Sequence, residues 1–205
     1  MFMPMVVMRR RPDDFSQMST NEFSLHDHLE ADMRSSLIVF ASALALTAGG
    51  AFAQAGPTDP QIAHIVVTAN QVDIDAGKLA ESKGSNADVK AFGKQMVTDH
   101  TGVNKEATAL VTKLKVKPED NPTSESLKKG GEDNVKKLKG LNGAAFDKAY
   151  VEHEVAYHQQ VLDAVDKVLI PNAKNAELKS LIEKVRPAFV AHLDHAKMIQ
   201  GKLGK

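Results

Sequence analysis

Apolar positions between Ser85 and Lys115 recur at Val89, Gly93, Met96, His100, Val103, Ala107, Leu110 and Leu114. Alternating steps of four and three mark the seam of a long helix packed against other helices. Asp99, His100, Thr101 and Asn104 place polar chemistry in the middle of that seam. The spacing recurs three times more. Ile62, Ile65, Val66, Ala69, Val72, Ala76, Leu79 and Ala80 form an upstream face, with Asp73 within or beside it. Val151, Val155, His158, Leu162, Val165 and Leu169 form a third, extended at its start by Phe146 and Tyr150. Leu178, Ile182, Val185, Phe189, His192, Ala196, Ile199 and Leu203 form the fourth. No stretch alternates with the period of a strand.

The punctuation predicts where these helices begin and end. Thr58-Asp59-Pro60 offers an N-cap carboxylate and then Pro at the first helical position. Gly84 is placed to end the first helix in a left-handed conformation. Ser85 with Asp88 three residues on reads as a capping box for the second. Lys117 to Thr123 is a loop with two prolines. Ser124 to Leu141 is Lys-rich and interrupted by Gly130-Gly131, which predicts one or two short surface helices. The third long helix runs from Asn142 to Leu169 and is broken at Ile170-Pro171-Asn172; Pro187 predicts a kink in the fourth. The expected fold is all-α: an antiparallel four-helix bundle of two hairpins, joined by a long crossover carrying short helices.

The N-terminal part reads differently. Residues 1–32 have no sustained period and read as a disordered or untranslated extension. Met33-Arg34 opens a positive region, Ser36 to Ala48 is apolar, and Ala51-Phe52-Ala53 is an A-x-A site. This is the pattern of an export signal over residues 33–53 that starts at Met33 and is cut after Ala53. The apolar run is shorter than the roughly 20 residues a membrane span needs. The expected mature domain is residues 54–205, in the periplasm or associated with the outer membrane.

Composition narrows the chemistry. The chain has 26 Lys and Arg against 26 Asp and Glu, so no general attraction to nucleic acid is expected. It has no Cys, which excludes disulfides, thiolate metal sites and a Cys nucleophile. Lys128, Lys129, Lys136, Lys137 and Lys139 read as a solvated basic face, with contact to an anionic envelope surface as the other reading. There is no phosphate-cradling Gly loop, nucleophile elbow or HExxH motif. Asp99 and His100 are neighbours on a helix and point about 100° apart, so they make no dyad.

Three of the four seams carry a histidine where an aliphatic residue is expected: His100, His158 and His192. The first helix offers Asp73 at a depth within about one turn of His100, at about 1.5 Å rise per residue. His192 lies further from the turn of the second hairpin than His158 does, by about six residues, roughly 9 Å. Glu154 matches the level of His192 better, so full convergence is not expected. His64, His153 and His195 read as surface residues.

Asn86-Ala87-Asp88-Val89-Lys90-Ala91-Phe92-Gly93 and Met96-Val97-Thr98-Asp99-His100-Thr101 carry a resemblance. So do Phe146 to Val151, His158-Gln159, and Pro187 with His192-Leu193. Over residues 58 to 203 the chain resembles an exported bacterial domain family of unknown function with a ferritin-like fold, often labelled a predicted outer-membrane protein. The resemblance implies fold and export, not an activity. The family's histidines fall on His100, His158 and His192, and its first-helix acidic residue, more often Glu, on Asp73. Where this chain has Tyr157 the family usually has Asp. Where it has His153 and Glu154 the family is usually apolar.

Two functions are expected from this pattern. In the first, the protein is a non-enzymatic exported bundle whose buried imidazoles bond to neighbouring helices and fix register, Asp73 with His100 foremost. In the second, His100, His158 and His192 with Asp73 or Glu154 hold Zn, Fe, Cu or Ni for storage, buffering or redox. A standard di-iron oxidase is not expected, because no bundle position carries Glu-x-x-His.

Overall fold

The structure is a computed structural model describing residues 56–204, and among these it is all-helical. The extension 1–32 and the export signal 33–53 lie outside the described residues. Helices α1 (Asp59–Lys83), α2 (Ala87–Leu114), α3 (Pro122–Lys139), α4 (Gly143–Ala164), α5 (Ile170–Asn172) and α6 (Ala176–Leu203) follow in order. A π-helical turn, Val165–Leu169, joins α4 to α5 without a break. No described helix is long and apolar enough to cross a membrane.

Two apolar cores lie at different levels. One gathers Ile62 and Ile65 of α1, Ala107 of α2, Leu162 of α4, and Ile182 and Phe189 of α6. The other gathers Ala76 and Ala80 of α1, Phe92 and Met96 of α2, Phe146 and Tyr150 of α4, and Ile199 of α6. Chain order between the two cores is the same in α1 and α6 and reversed in α2 and α4. The helices therefore run in opposite senses within each hairpin. On every long helix the polar residues of the seam fall between the two cores.

Close approach of α1 and α2 rests on two glycines. A Cβ on Gly93 would stand 2.6 Å from Ala80 Cβ and 2.8 Å from Gly77 O; one on Gly77 would stand 2.8 Å from Gly93 O. Gly84 has φ −51°, so it is not left-handed as expected. A Cβ there would lie 2.6 Å from Ala80 O, and that crowding accounts for the glycine.

The crossover also departs from expectation. Gly130-Gly131 does not break it, and α3 is one helix of 18 residues. Gly131 is instead where α3 lies against α1, since a Cβ there would stand 2.7 Å from Val72 Cγ2.

The caps redistribute the expected roles. Thr58 is the N-cap of α1, in a capping box with Gln61. Asp59 spends its carboxylate elsewhere, accepting from the backbone of Lys174 and Asn175 at 2.8 and 2.9 Å. Asn86, rather than Ser85, caps α2, accepting from Asp88 and Val89. Ser85 donates its hydroxyl to buried Asp147 at the start of α4, which also accepts from the backbone of Ser85 at 2.9 Å and Asn86 at 2.8 Å. A carboxylate from one hairpin thus ties down the turn of the other in both directions. Replacing Asp147 by Ala leaves those donors unpaired. It is expected to lower stability by about 3 kcal/mol in urea unfolding, with half-buried Asp59→Ala costing less.

Candidate metal centre

His100, His158 and His192 are each about as buried as a core leucine, and so are Asp73 and Glu154. Their rings meet: centroids are 5.6 Å apart for His100 and His158, 5.2 Å for His100 and His192, and 5.5 Å for His158 and His192. The convergence corrects the mismatch read from sequence. Ile170-Pro171-Asn172 does not break the helix, because the π turn carries it through to Asn172 and the chain reverses at Ala173 to Asn175. Counted from that turn, His158 and His192 lie at similar depths. Glu154 is correspondingly not the partner of His192; it faces Asp73 and His158.

Each imidazole has one nitrogen committed. Asn70 donates its amide to Val66 O at 2.8 Å, which turns Asn70 Oδ1 toward His100. His100 Nδ1 lies 2.7 Å from that oxygen and must donate to it. Asp73 Oδ2 is further away, 3.5 Å from the same nitrogen. Asn70, which the apolar pattern gave no reason to select, is therefore the main partner of His100. His158 Nδ1 donates to Glu154 O at 3.1 Å. His192 Nε2 donates to Asp99 Oδ2 at 2.9 Å, so Asp99 serves a histidine on another helix, not its neighbour.

The other nitrogens, His100 Nε2, His158 Nε2 and His192 Nδ1, are buried without a partner among the described residues. So are Asp73 Oδ1 and both oxygens of Glu154. Ligand atoms of His100, His158 and His192 lie within 4.8 Å of one another, and so do those of Asp73, Glu154 and His158. His158 belongs to both sets.

The surroundings hold the donors in place. Phe189 stacks on His100 at 5.3 Å and 11°. Tyr157 donates its hydroxyl to Ala69 O at 3.1 Å, tying α4 to α1. His64, His153 and His195 are half-buried, not surface residues. His153 stacks on Tyr157, and His195 bonds Gln95 through Nδ1 and stands edge-on to Phe92.

Burial, and then the charge of His192, push His158 down to about 4 from 6.5. Burial likewise lowers His100 and His192. It raises the Asp73 and Glu154 carboxyls well above their usual range, with Asp73 raising Glu154 further. Without metal, the imidazoles are neutral and the carboxyls keep their protons more readily than in an unfolded chain. The unfolded His158 takes up its proton first as pH falls. Its stabilising contribution is therefore complete above pH 6.5 and lost on the way down to about 4. The two carboxyls act in the opposite direction, favouring the fold at low pH and losing that contribution as pH rises. The imidazole part is isolated by comparing metal-free protein with its His158→Gln variant in urea at pH 7 and pH 4.5. The variant is expected to lose less stability on acidification, by on the order of 2 kcal/mol.

These features define a class: an all-helical domain with a histidine–carboxylate cluster sealed between two apolar cores. The chain belongs to the family described as a domain of unknown function, DUF4142, whose model matches residues 44–199. No curated protein matches the chain. No solved structure matches it either.

Proposed function

We propose that this domain holds a transition-metal ion through His100, His158 and His192, with Asp73 and Glu154 beside them. The observation that carries this is the division of labour within each imidazole. One nitrogen donates to an amide oxygen, a backbone carbonyl or a carboxylate, and the other is buried without a partner among the described residues, while ligand atoms of the three histidines lie within 4.8 Å of one another. Backbone carbonyl and carboxylate partners are what metal-ligating histidines use, and the Asn70 amide oxygen plays the same part for His100. An unpaired buried polar atom costs about 1–3 kcal/mol, and here three such imidazole nitrogens belong to one cluster, which a bound ion would satisfy together.

The donor set fits the group. Imidazole and carboxylate suit Zn, Fe, Cu and Ni. A divalent ion would be neutralised by Asp73 and Glu154 once their protons leave, so uptake releases protons and retention falls with falling pH. The bound ion would supply Lewis-acid or redox capacity; the chain's own part is to orient imidazoles and exclude water. Holding or buffering the metal is the role this arrangement supports best.

The proposed setting is a ferritin-like four-helix bundle exported to the bacterial periplasm or outer membrane. The opposed helix directions and the A-x-A signal support it. N-terminal sequencing of the exported protein should begin at Gln54, and a start far from there overturns export.

Elemental analysis of purified protein, followed by Zn2+ titration of stripped protein, tests the centre. Stoichiometric binding is expected, and a protein that takes up no metal refutes it. Asp99→Asn removes the carboxylate charge that holds His192. It should weaken Zn2+ binding by about 10–100-fold while leaving the fold intact by circular dichroism.

A further inference from the structure

Beside the histidines lies a cavity of about 180 Å³ that no role described so far uses. Its walls are aliphatic and aromatic: Ile65, Val66, Leu127, Leu181, Ile182 and Phe189. One end is formed by Asn70, Asp73, His100 and His158, all buried. The other reaches exposed Thr123, Gln160 and Val168.

The π turn helps to build it. Val165, Val168 and Leu169 of that turn all line the cavity. An inserted residue widens a helix locally, and such turns concentrate at functional sites. Val168 is one of two large apolar side chains that stand clearly exposed among the described residues, and it is at the rim. An apolar cavity of about 150 Å³ stays dry and takes up benzene. This one is slightly larger.

We infer that the cavity is a binding site for a small apolar molecule of about the size of a benzene ring. Apolar walls recognise the body of such a molecule by burial alone. A charged or multiply polar ligand would find no partners along the walls.

The inference stands apart from the metal reading, and the test keeps them apart by using stripped protein throughout. Benzene and phenol are titrated into it, with binding followed by calorimetry and by ring-current shifts in NMR. Saturable one-to-one binding of benzene is expected, with phenol binding no more tightly. Ala164→Phe and Val161→Phe, at half-buried lining positions, should each weaken both ligands by tenfold or more. Gln159→Phe, exposed on the same helix and outside the lining, should leave binding unchanged. Absence of benzene and phenol binding overturns the site, and so does binding that survives both lining variants. Phenol binding at least threefold tighter than benzene overturns the apolar reading of the site. A protein that binds phenol but no Zn2+ refutes the metal reading alone.

Discussion

Replacing His158 by Ala is expected to abolish stoichiometric Zn2+ binding, with affinity falling on the order of a thousandfold, beyond the 10–100-fold typical of an orienting partner. His158 belongs to both groups of converging donors, so its loss leaves neither intact. His192→Ala should weaken binding too, but it spares the Asp73, Glu154 and His158 group. Thermal unfolding gives a second readout. Metal at a thousand times its dissociation constant adds about 4 kcal/mol to a native state that binds it. For a domain of this size that is roughly a 10 °C rise in Tm. The rise should appear in wild type and vanish in His158→Ala. Half-buried His153, which stacks on Tyr157 and belongs to neither group, serves as the control; His153→Ala should keep the metal. A His158→Ala protein that still binds one equivalent of Zn2+ with unchanged affinity would sink the proposed centre.

The second large effect is on the fold. An exposed Gly→Ala change inside a helix ordinarily stabilises by up to about 1 kcal/mol. At Gly93 the sign reverses, because the new methyl meets Ala80 Cβ at 2.6 Å, Gly77 O at 2.8 Å and Glu81 N at 2.9 Å. Two of these are backbone atoms and cannot turn away, so α1 and α2 must separate. Overpacking of this kind costs about 1–3 kcal/mol beyond the lost propensity gain. Gly93→Ala should lower Tm by roughly 5–10 °C. Gly102→Ala is the internal comparison: it lies on the same helix with nothing within 4 Å of its would-be Cβ, and it should hold or raise Tm. The Gly93 change should also weaken Zn2+ binding. Separation of α1 from α2 pulls Asn70 away from His100, and Asn70 is what aims the His100 ring.

Both effects depend on how the two hairpins are locked together. Asp147 holds the α1–α2 turn and Asp59 holds the α5–α6 turn. The level at which each histidine meets its partners is set at those two ends. A slip of one helical turn would move a seam residue by about 5.4 Å, more than the spread of the donor atoms.

Sequence alone was enough for the helices and for the identity of the central residues. Steps of three and four are a local property, written into each helix by the 3.6-residue turn, and they place His100, His158 and His192 on inward faces without reference to any neighbour. Buried Asp73 was legible for the same reason. What only the tertiary structure decided is how far along its helix each group sits relative to the others. That depends on where the chain reverses, and the π turn carries the helix past the expected break at Ile170-Pro171-Asn172 to a reversal at Ala173–Asn175, turning an apparent mismatch into a cluster. It also decided the partners. Asn70 and Asp99 are ordinary helix residues by pattern, and Gly131 reads as a breaker until α3 is seen against Val72. The hydrogen bonds that orient His100 and His192 join residues 30 and 93 positions apart, and no periodicity within one helix carries information about a contact on another.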